Sequence, residues 1–180
     1  ESNNFAIKSI ANNFFEKDCQ IITVKTEHKC VLESCHTLDQ EGFDVFYLDV
    51  NEDGLINLDE LENLLKKRKS LVSVMSANNE IGVLQPIKEI GDLCKKYNSI
   101  FHSDVAQSLG TQKIDVDELN IDALSISAHK IYGPKGIGAL IVSENIKVEP
   151  LQFGGNQENG IRPGTLPVPL IIGLVKAAQI

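Results

Sequence analysis

Apolar positions along the chain follow two alternating rhythms. From Asn4 to Phe15, residues Phe5, Ala6, Ile10, Ala11, Phe14 and Phe15 recur at helical spacing. The run Gln20-Ile21-Ile22-Thr23-Val24 is short, apolar and β-branched, which predicts a buried strand. Residues 28 to 41 return to a helical pattern, and Phe43 to Leu48 reads as a second strand. Leu58 to Lys67 is amphipathic, and its basic end, Lys66-Lys67-Arg68-Lys69, complements the dipole at a helix C-terminus. Leu71 to Met75 is strand-like. Pro86 then opens a helix that reaches about Tyr97, in the first turn where a missing N–H costs least. Further strand patterns follow at Ser99 to His102, Ala123 to Ile126 and Ile137 to Val142, and Gln179-Ile180 closes an apolar helical pattern. Strand-helix units of this length imply parallel strands joined by crossovers, hence an α/β fold with a mostly parallel sheet flanked by helices. No repeat, low-complexity stretch or linker interrupts the pattern. The chain reads as one compact unit, or the middle of one.

Composition narrows the function classes. The 180 residues carry a net charge of −8, with 42% hydrophobic and 23% charged positions, so wholesale disorder is excluded. The acidic balance argues against electrostatic wrapping of nucleic acid, and the 66–69 basic run reads as a solvated helix end. No apolar run approaches the roughly 20 residues that span a bilayer, so no membrane partner is expected. Cys19, Cys30, Cys35 and Cys94 form no CxxC pair and no zinc-like cluster, which reads as reduced thiols. Such thiols suit a bacterial cytoplasm or a mitochondrial or other organelle matrix equally. The start at Glu1-Ser2-Asn3-Asn4 and the end inside a helical pattern both look cut.

One motif match is complete. Asp49, Asn51, Asp53, Gly54 and Glu60 fit the calcium-loop pattern D-x-[DN]-x-[DN]-G-x5-E, with Ile56 at its apolar position. A calcium-binding module is therefore an alternative reading. The context opposes it. The preceding Gly42 to Leu48 is β-rich where a helix is required, and there is no second loop to pair with. A strand, an Asn-Glu-Asp-Gly turn and an acid-opened helix explain the same residues, and no metal ligand set is assigned.

The densest chemical signal lies between Asn78 and Gly138. Ser127-Ala128-His129-Lys130 follows a strand pattern and precedes Gly133-Pro134-Lys135-Gly136. A lysine at a strand's carboxyl end, in a glycine-rich turn, is placed to face the ligand crevice of an α/β sheet and can form a Schiff base. Ser127-x-x-Lys130 also fits a serine-nucleophile pattern, without its companion motifs. Asp104 ends another apolar strand, and an Asp and a Lys facing one crevice are what pyridoxal 5'-phosphate (PLP) requires. A solvated Lys and an N-capping Asp fit the residue types as well.

Five ordered blocks bear on that choice. Thr26-Glu27-His28-Lys29, Asn78-Asn79-Glu80-Ile81-Gly82, His102-Ser103-Asp104-Val105-Ala106-Gln107, Ser127 to Gly136 and Arg162-Pro163-Gly164-Thr165 stand as in the cysteine desulfurases. The chain resembles the NifS/IscS-like branch of this PLP-dependent class V aminotransferase family over essentially all its residues. The resemblance implies the large PLP-binding domain of the type I, aspartate aminotransferase-like fold. Lys130 would carry PLP and later move protons at the substrate carbon, and Asp104 would pair with the ring nitrogen. Gln107 would bond the ring hydroxyl, and Asn79 would sit near that oxygen and the substrate. His28 would stack on the ring and assist proton transfer. Ser127 and His129 would hold the phosphate, and Thr165 would reach the phosphate of the neighbouring subunit in a homodimer.

The implied reaction converts L-cysteine to L-alanine, leaving the sulfur as a persulfide on an enzyme cysteine. The sulfur then passes to an iron–sulfur cluster scaffold or to a tRNA-thiolation acceptor protein. A selenocysteine lyase-like activity is the nearest alternative, and a catalytically dead remnant serving as a partner surface is another. None of the four cysteines matches the family's nucleophile, and the family's arginine for the substrate carboxylate has no counterpart here. The expectation is therefore that residues 1–180 are the central part of the large domain, without the N-terminal segment and C-terminal small domain, and inactive alone. Two departures stand out: Ala128 where glycine is usual, adding a methyl near the cofactor, and Asn156 after Gly154-Gly155 where a third glycine is common.

Overall fold

A computed structural model describes residues 1–14 and 19–180. Helix α1 (Ser2–Phe14) is followed by β1 (Gln20–Val24), α2 (Lys29–Gln40), β2 (Asp44–Leu48), α3 (Leu58–Leu65) and β3 (Ser70–Ser73). Then come α4 (Ile87–Lys96), β4 (Ile100–Asp104), β5 (Ala123–Ser127), β6 (Gly138–Val142) and α5 (Val168–Ala178). The first predicted helix includes Phe15, which lies outside the described residues. One six-stranded sheet has the order β2-β1-β3-β4-β5-β6. Its first five strands are parallel, and only β6 runs antiparallel, against β5.

The period-2 alternation of a strand sends successive side chains to opposite faces. Ile21, Leu71, Ile100 and Ala123 pack with Ala6, Ile7, Ile10, Val31, Cys35 and Leu38 of α1 and α2. Ile22, Val72, Phe101 and Leu124 pack on the other face with Leu61, Leu64, Ile87, Ile90 and Cys94 of α3 and α4. Strands β1, β3 and β4 are buried along their whole length because helices cover both faces. Helix α2 leads outward from β1 to β2 on one face, and α3 returns past β1 to β3 on the other. Right-handed crossovers place them so when the direction of travel reverses.

The buried polar residues of the sheet are bonded, as burial requires. Gln20 Nε2 donates to Leu64 O at 2.8 Å, and Thr23 Oγ1 donates to Ser73 O at 3.0 Å. His102, fully buried, bridges the hydroxyls of Ser73 (2.9 Å) and Ser125 (3.0 Å), tying three strands together. Two boundaries differ from the sequence pattern for traceable reasons. Strand β3 ends at Ser73 rather than Met75, and the Met75 N–H donates to the Glu27 carboxylate. Strand β4 continues past His102 to Asp104 because its polar end is satisfied inside: Ser103 Oγ donates to Val74 O at 2.8 Å, and Asp104 accepts from Asn3.

The calcium-loop match is a strand-turn-helix segment. Strand β2 enters it, and Val50 bridges Ile56 across the turn. Asn51 Oδ1 accepts from the N–H groups of Asp53 and Leu55, while Lys25 pairs with Asp49 at 2.7 Å. Asn57 caps α3 through the N–H groups of Asp59 and Glu60. The calcium-module alternative therefore fails: the entering helix is missing, and the first acid and the first asparagine are engaged elsewhere.

Candidate active site

The strand order reverses at β1, whose two neighbours β2 and β3 are reached in opposite directions. In an open parallel sheet, ligands bind beyond the carboxyl ends of the strands near such a switch point. His28 follows β1, Asn79 follows β3, Asp104 closes β4 with Gln107 just beyond it, and Ser127 closes β5 with His129 and Lys130 in the turn that follows. Seven of the eight residues singled out from the sequence therefore lie along one edge of the sheet. Thr165 is exposed in the loop leading to α5, and no hydrogen bond among the described residues joins it to the others.

Asp104 is buried at the end of β4, and each of its oxygens has one partner among the described residues. Asn3 Nδ2 donates to Oδ2 at 2.7 Å, and Ala106 N donates to Oδ1 at 2.9 Å. A carboxylate has about four lone-pair sites, so capacity remains for one cationic N–H. The same Asn3 amide lies 3.1 Å from Cys30 Sγ, and that sulfur lies 3.0 Å from His28 Nδ1. His28 is the N-cap of α2, its Nδ1 accepting from Cys30 N at 3.2 Å. A ring nitrogen that accepts cannot carry the proton, so neutral His28 is protonated on Nε2.

Glu27 sits beneath this cluster and is buried. Its Oε1 accepts from Met75 N at 2.5 Å, while Oε2 has no hydrogen-bond partner among the described residues. Burial, assisted by the nearby Asp104 charge and opposed by the Met75 hydrogen bond, pushes its carboxyl up to about 8. Asn78 links β3 to the segment after β1: its Nδ2 donates to Thr26 O at 2.6 Å, and its Oδ1 accepts from the N–H groups of Glu80 and Ile81. Asn79, by contrast, is exposed.

Ala128–Ile131 forms a single 3-10 turn after β5. It ends at Tyr132, whose φ of 64° is left-handed, and Gly133 N returns to Ala128 O at 2.9 Å. A Cβ at Gly133 would lie 2.8 Å from that carbonyl, so the turn needs glycine there. Ser127 Oγ and His129 Nδ1 are 2.9 Å apart, and His129 and Lys130 are exposed. The Ala128 methyl is not a projection into the crevice. It is fully buried in a cluster with Ile131 and Leu174 of α5, so this departure is absorbed by packing.

Sequence reasoning missed Asn3, Glu27 and Cys30 as members of the site. Glu27 stands inside one of the five ordered blocks, but nothing local distinguishes a buried carboxyl from an exposed one. The thiols of Cys30, Cys35 and Cys94 are all raised by burial, Cys35 to about 12. Cys19 is buried as well. Among the described residues no group of three His, Cys, Asp or Glu could hold a metal ion, and no helix is long and apolar enough to cross a membrane. A cavity of about 150 Å³ lies away from Lys130, flanked by the Glu1–Arg162 pair.

Comparison with known proteins agrees with the motif resemblance. The chain is 58% identical over its whole length to a mitochondrial cysteine desulfurase of Eremothecium gossypii, covering 37% of that protein. It is 56% identical to the cysteine desulfurase IscS of Rickettsia africae, again over the whole chain and 44% of the relative. Among solved structures, SspA in complex with cysteine superposes with a TM-score of 0.93 at 47% identity, over 99% of this chain and 52% of the other. The chain thus spans less than half the length of these curated relatives, with a sheet of the type I fold that PLP enzymes use. Residues 1–180 match the aminotransferase class-V family throughout, and the chain belongs to that family, whose members imply PLP as cofactor.

Proposed function

We propose that this chain forms the central, cofactor-bearing part of the large domain of a cysteine desulfurase, converting L-cysteine to L-alanine and an enzyme-bound persulfide. The observation that carries the reading is topological. Asp104 and the Ser127–Lys130 turn close neighbouring parallel strands, with Asp104 in register with Ser125, so an acid and an amine stand at one sheet edge. The donor set fits PLP: an exposed lysine amine, a buried carboxylate with spare acceptor capacity, and a hydroxyl and an imidazole for a phosphate. When bound, PLP supplies an electron sink for negative charge at the substrate carbon.

Each residue then has a defined task. Asp104 would accept from the ring nitrogen and favour its protonated form, Gln107 would bond the ring hydroxyl, and Asn79 would serve that oxygen and the substrate. His28 would face the ring, with Nε2 available for proton transfer. Ser127 and His129 hold the phosphate, with Thr165 offered to the phosphate of a second subunit in a homodimer. Lys130 binds the cofactor and moves the proton at the substrate carbon. A sulfur-accepting thiol must be a ready thiolate, and burial disfavours that form for Cys30, Cys35 and Cys94. By its resemblance to the family, whose nucleophile position none of Cys19, Cys30, Cys35 and Cys94 matches, the accepting cysteine is assigned outside these residues, and these 180 residues alone are expected to be inactive. Iron–sulfur scaffold or tRNA-thiolation proteins are the acceptors proposed downstream.

The test is spectroscopic. Protein incubated with PLP and desalted should retain a visible absorption band, and Lys130→Ala should lose it. Asp104→Asn should weaken PLP binding by about tenfold or more, the loss of a hydrogen bond to a charged group. A band unchanged in Lys130→Ala removes that lysine from its role.

A further inference from the structure

We propose that Glu27 and Asn3 form a buried support for Asp104, in which Glu27 Oε2 bears a proton and donates it to Asn3 Oδ1 while Asn3 Nδ2 fixes Asp104 Oδ2. The inference rests on the reading that Asp104 faces the cofactor's ring nitrogen, and makes Glu27 and Asn3 positioning residues for it. Glu27 Oε2 and Asn3 Oδ1 are the buried side-chain atoms without a hydrogen-bond partner among the described residues. Both are acceptors when the carboxyl is ionised, so neither can satisfy the other. One proton on Oε2 turns that atom into a donor and removes both deficits. A buried acceptor left unmade costs more than an average hydrogen bond gains, so the pairing has a strong drive.

The two residues share their surroundings. Asn3 bonds Asp104 and Cys30, and Glu27 acts electrostatically with the same Asp104 and Cys30. The groups facing Glu27 are Asp104 from β4 and Cys30 and Cys35 from α2, with the Met75 N–H on Oε1 from the segment after β3. None of these side chains is a cation, so none of them holds Glu27 ionised. The raised Glu27 carboxyl agrees with a proton retained at neutral pH. A proton on Glu27 removes its charge from the neighbourhood of Asp104. Asn3 cannot rotate its amide without losing both contacts, so Asp104 Oδ2 is held by a donor that is itself oriented.

Infrared difference spectroscopy reads the proton directly, without cofactor. Wild type minus Glu27→Gln at pH 6.5 should show the carbonyl stretch of a protonated carboxylic acid, fading as the pH rises through about 8. The band should shift in Asn3→Ala, which removes its acceptor. PLP titration reads the support: Asn3→Ala should weaken binding about tenfold, whereas Glu27→Gln, whose amide still donates to Asn3, should stay within about threefold. No acid band lost in Glu27→Gln, or a band indifferent to Asn3→Ala, overturns the proposal. Unaltered PLP binding in Asp104→Asn instead overturns the cofactor reading, leaving the infrared result to stand by itself.

Discussion

Glu27 and His102 are buried titratable groups that respond to pH in opposite senses. Burial pushes the Glu27 acid from 4.5 up to about 8, so the folded state holds a proton that the unfolded state releases. Its contribution is fully present below pH 4.5 and is lost as the pH rises through 8. Burial pushes His102 from 6.5 down to about 4, against the attraction of Asp104. Its contribution is present above 6.5 and lost as the pH falls through 4. A tenfold difference in proton affinity between folded and unfolded chains corresponds to about 1.4 kcal/mol. Urea unfolding of wild type should therefore show stability falling between pH 6.5 and 8, and Glu27→Gln should flatten that fall. An identical slope in the variant would show that Glu27 is ionised when folded. The composition announces neither effect. Glu27 and His102 are an ordinary acid and an ordinary histidine in the sequence, and only the strands and helices closing over them decide their protonation.

Helix α4 shows how an element is fixed by its neighbour. Gly91 lies where a Cβ would come within 2.0 Å of Leu119 O in the connection between β4 and β5. Gly91→Ala favours the isolated helix, by up to about 1 kcal/mol. The clash should outweigh this and destabilise the protein by about 2 kcal/mol net, measured by urea unfolding. A gain in stability would mean that the connection moves aside freely. In α3 the Asn57 cap satisfies two orphan N–H groups, and Asn57→Ala should cost about 1 kcal/mol. That helix is legible from its amphipathic spacing, although its basic tail falls beyond the helix itself. Leu65 ends the helix, and Lys66 caps it and pairs with Glu62 at 3.1 Å. The acids of the same segment imitate a calcium loop in sequence, and the strand before them tells the two apart. Calorimetric titration with Ca²⁺ should give no binding heat, and a heat abolished by Glu60→Gln would restore the calcium reading.

At the scale of the whole molecule, four of the five parallel strands set the candidate cofactor residues along one edge, so a ligand bound there joins segments more than a hundred residues apart. PLP at about a hundredfold excess over its Kd should stabilise the protein by about 2.7 kcal/mol, read as a rise in Tm. Lys130→Ala should lose most of that rise, and a rise that persists would place the binding elsewhere. The sequence by itself determined the order of strands and helices, the mostly parallel sheet and the family. Hydrophobic period and turn residues are local properties, and five motifs in fixed order are a pattern of the chain alone. Only the tertiary structure decided that β6 turns antiparallel, that Ala128 packs against α5, and that Asn3 reaches Asp104 across 101 positions. It alone buries one oxygen of Glu27 where no donor among the described residues reaches it. Burial and contact belong to the folded arrangement of distant segments, and the residue types beside a position carry no record of them.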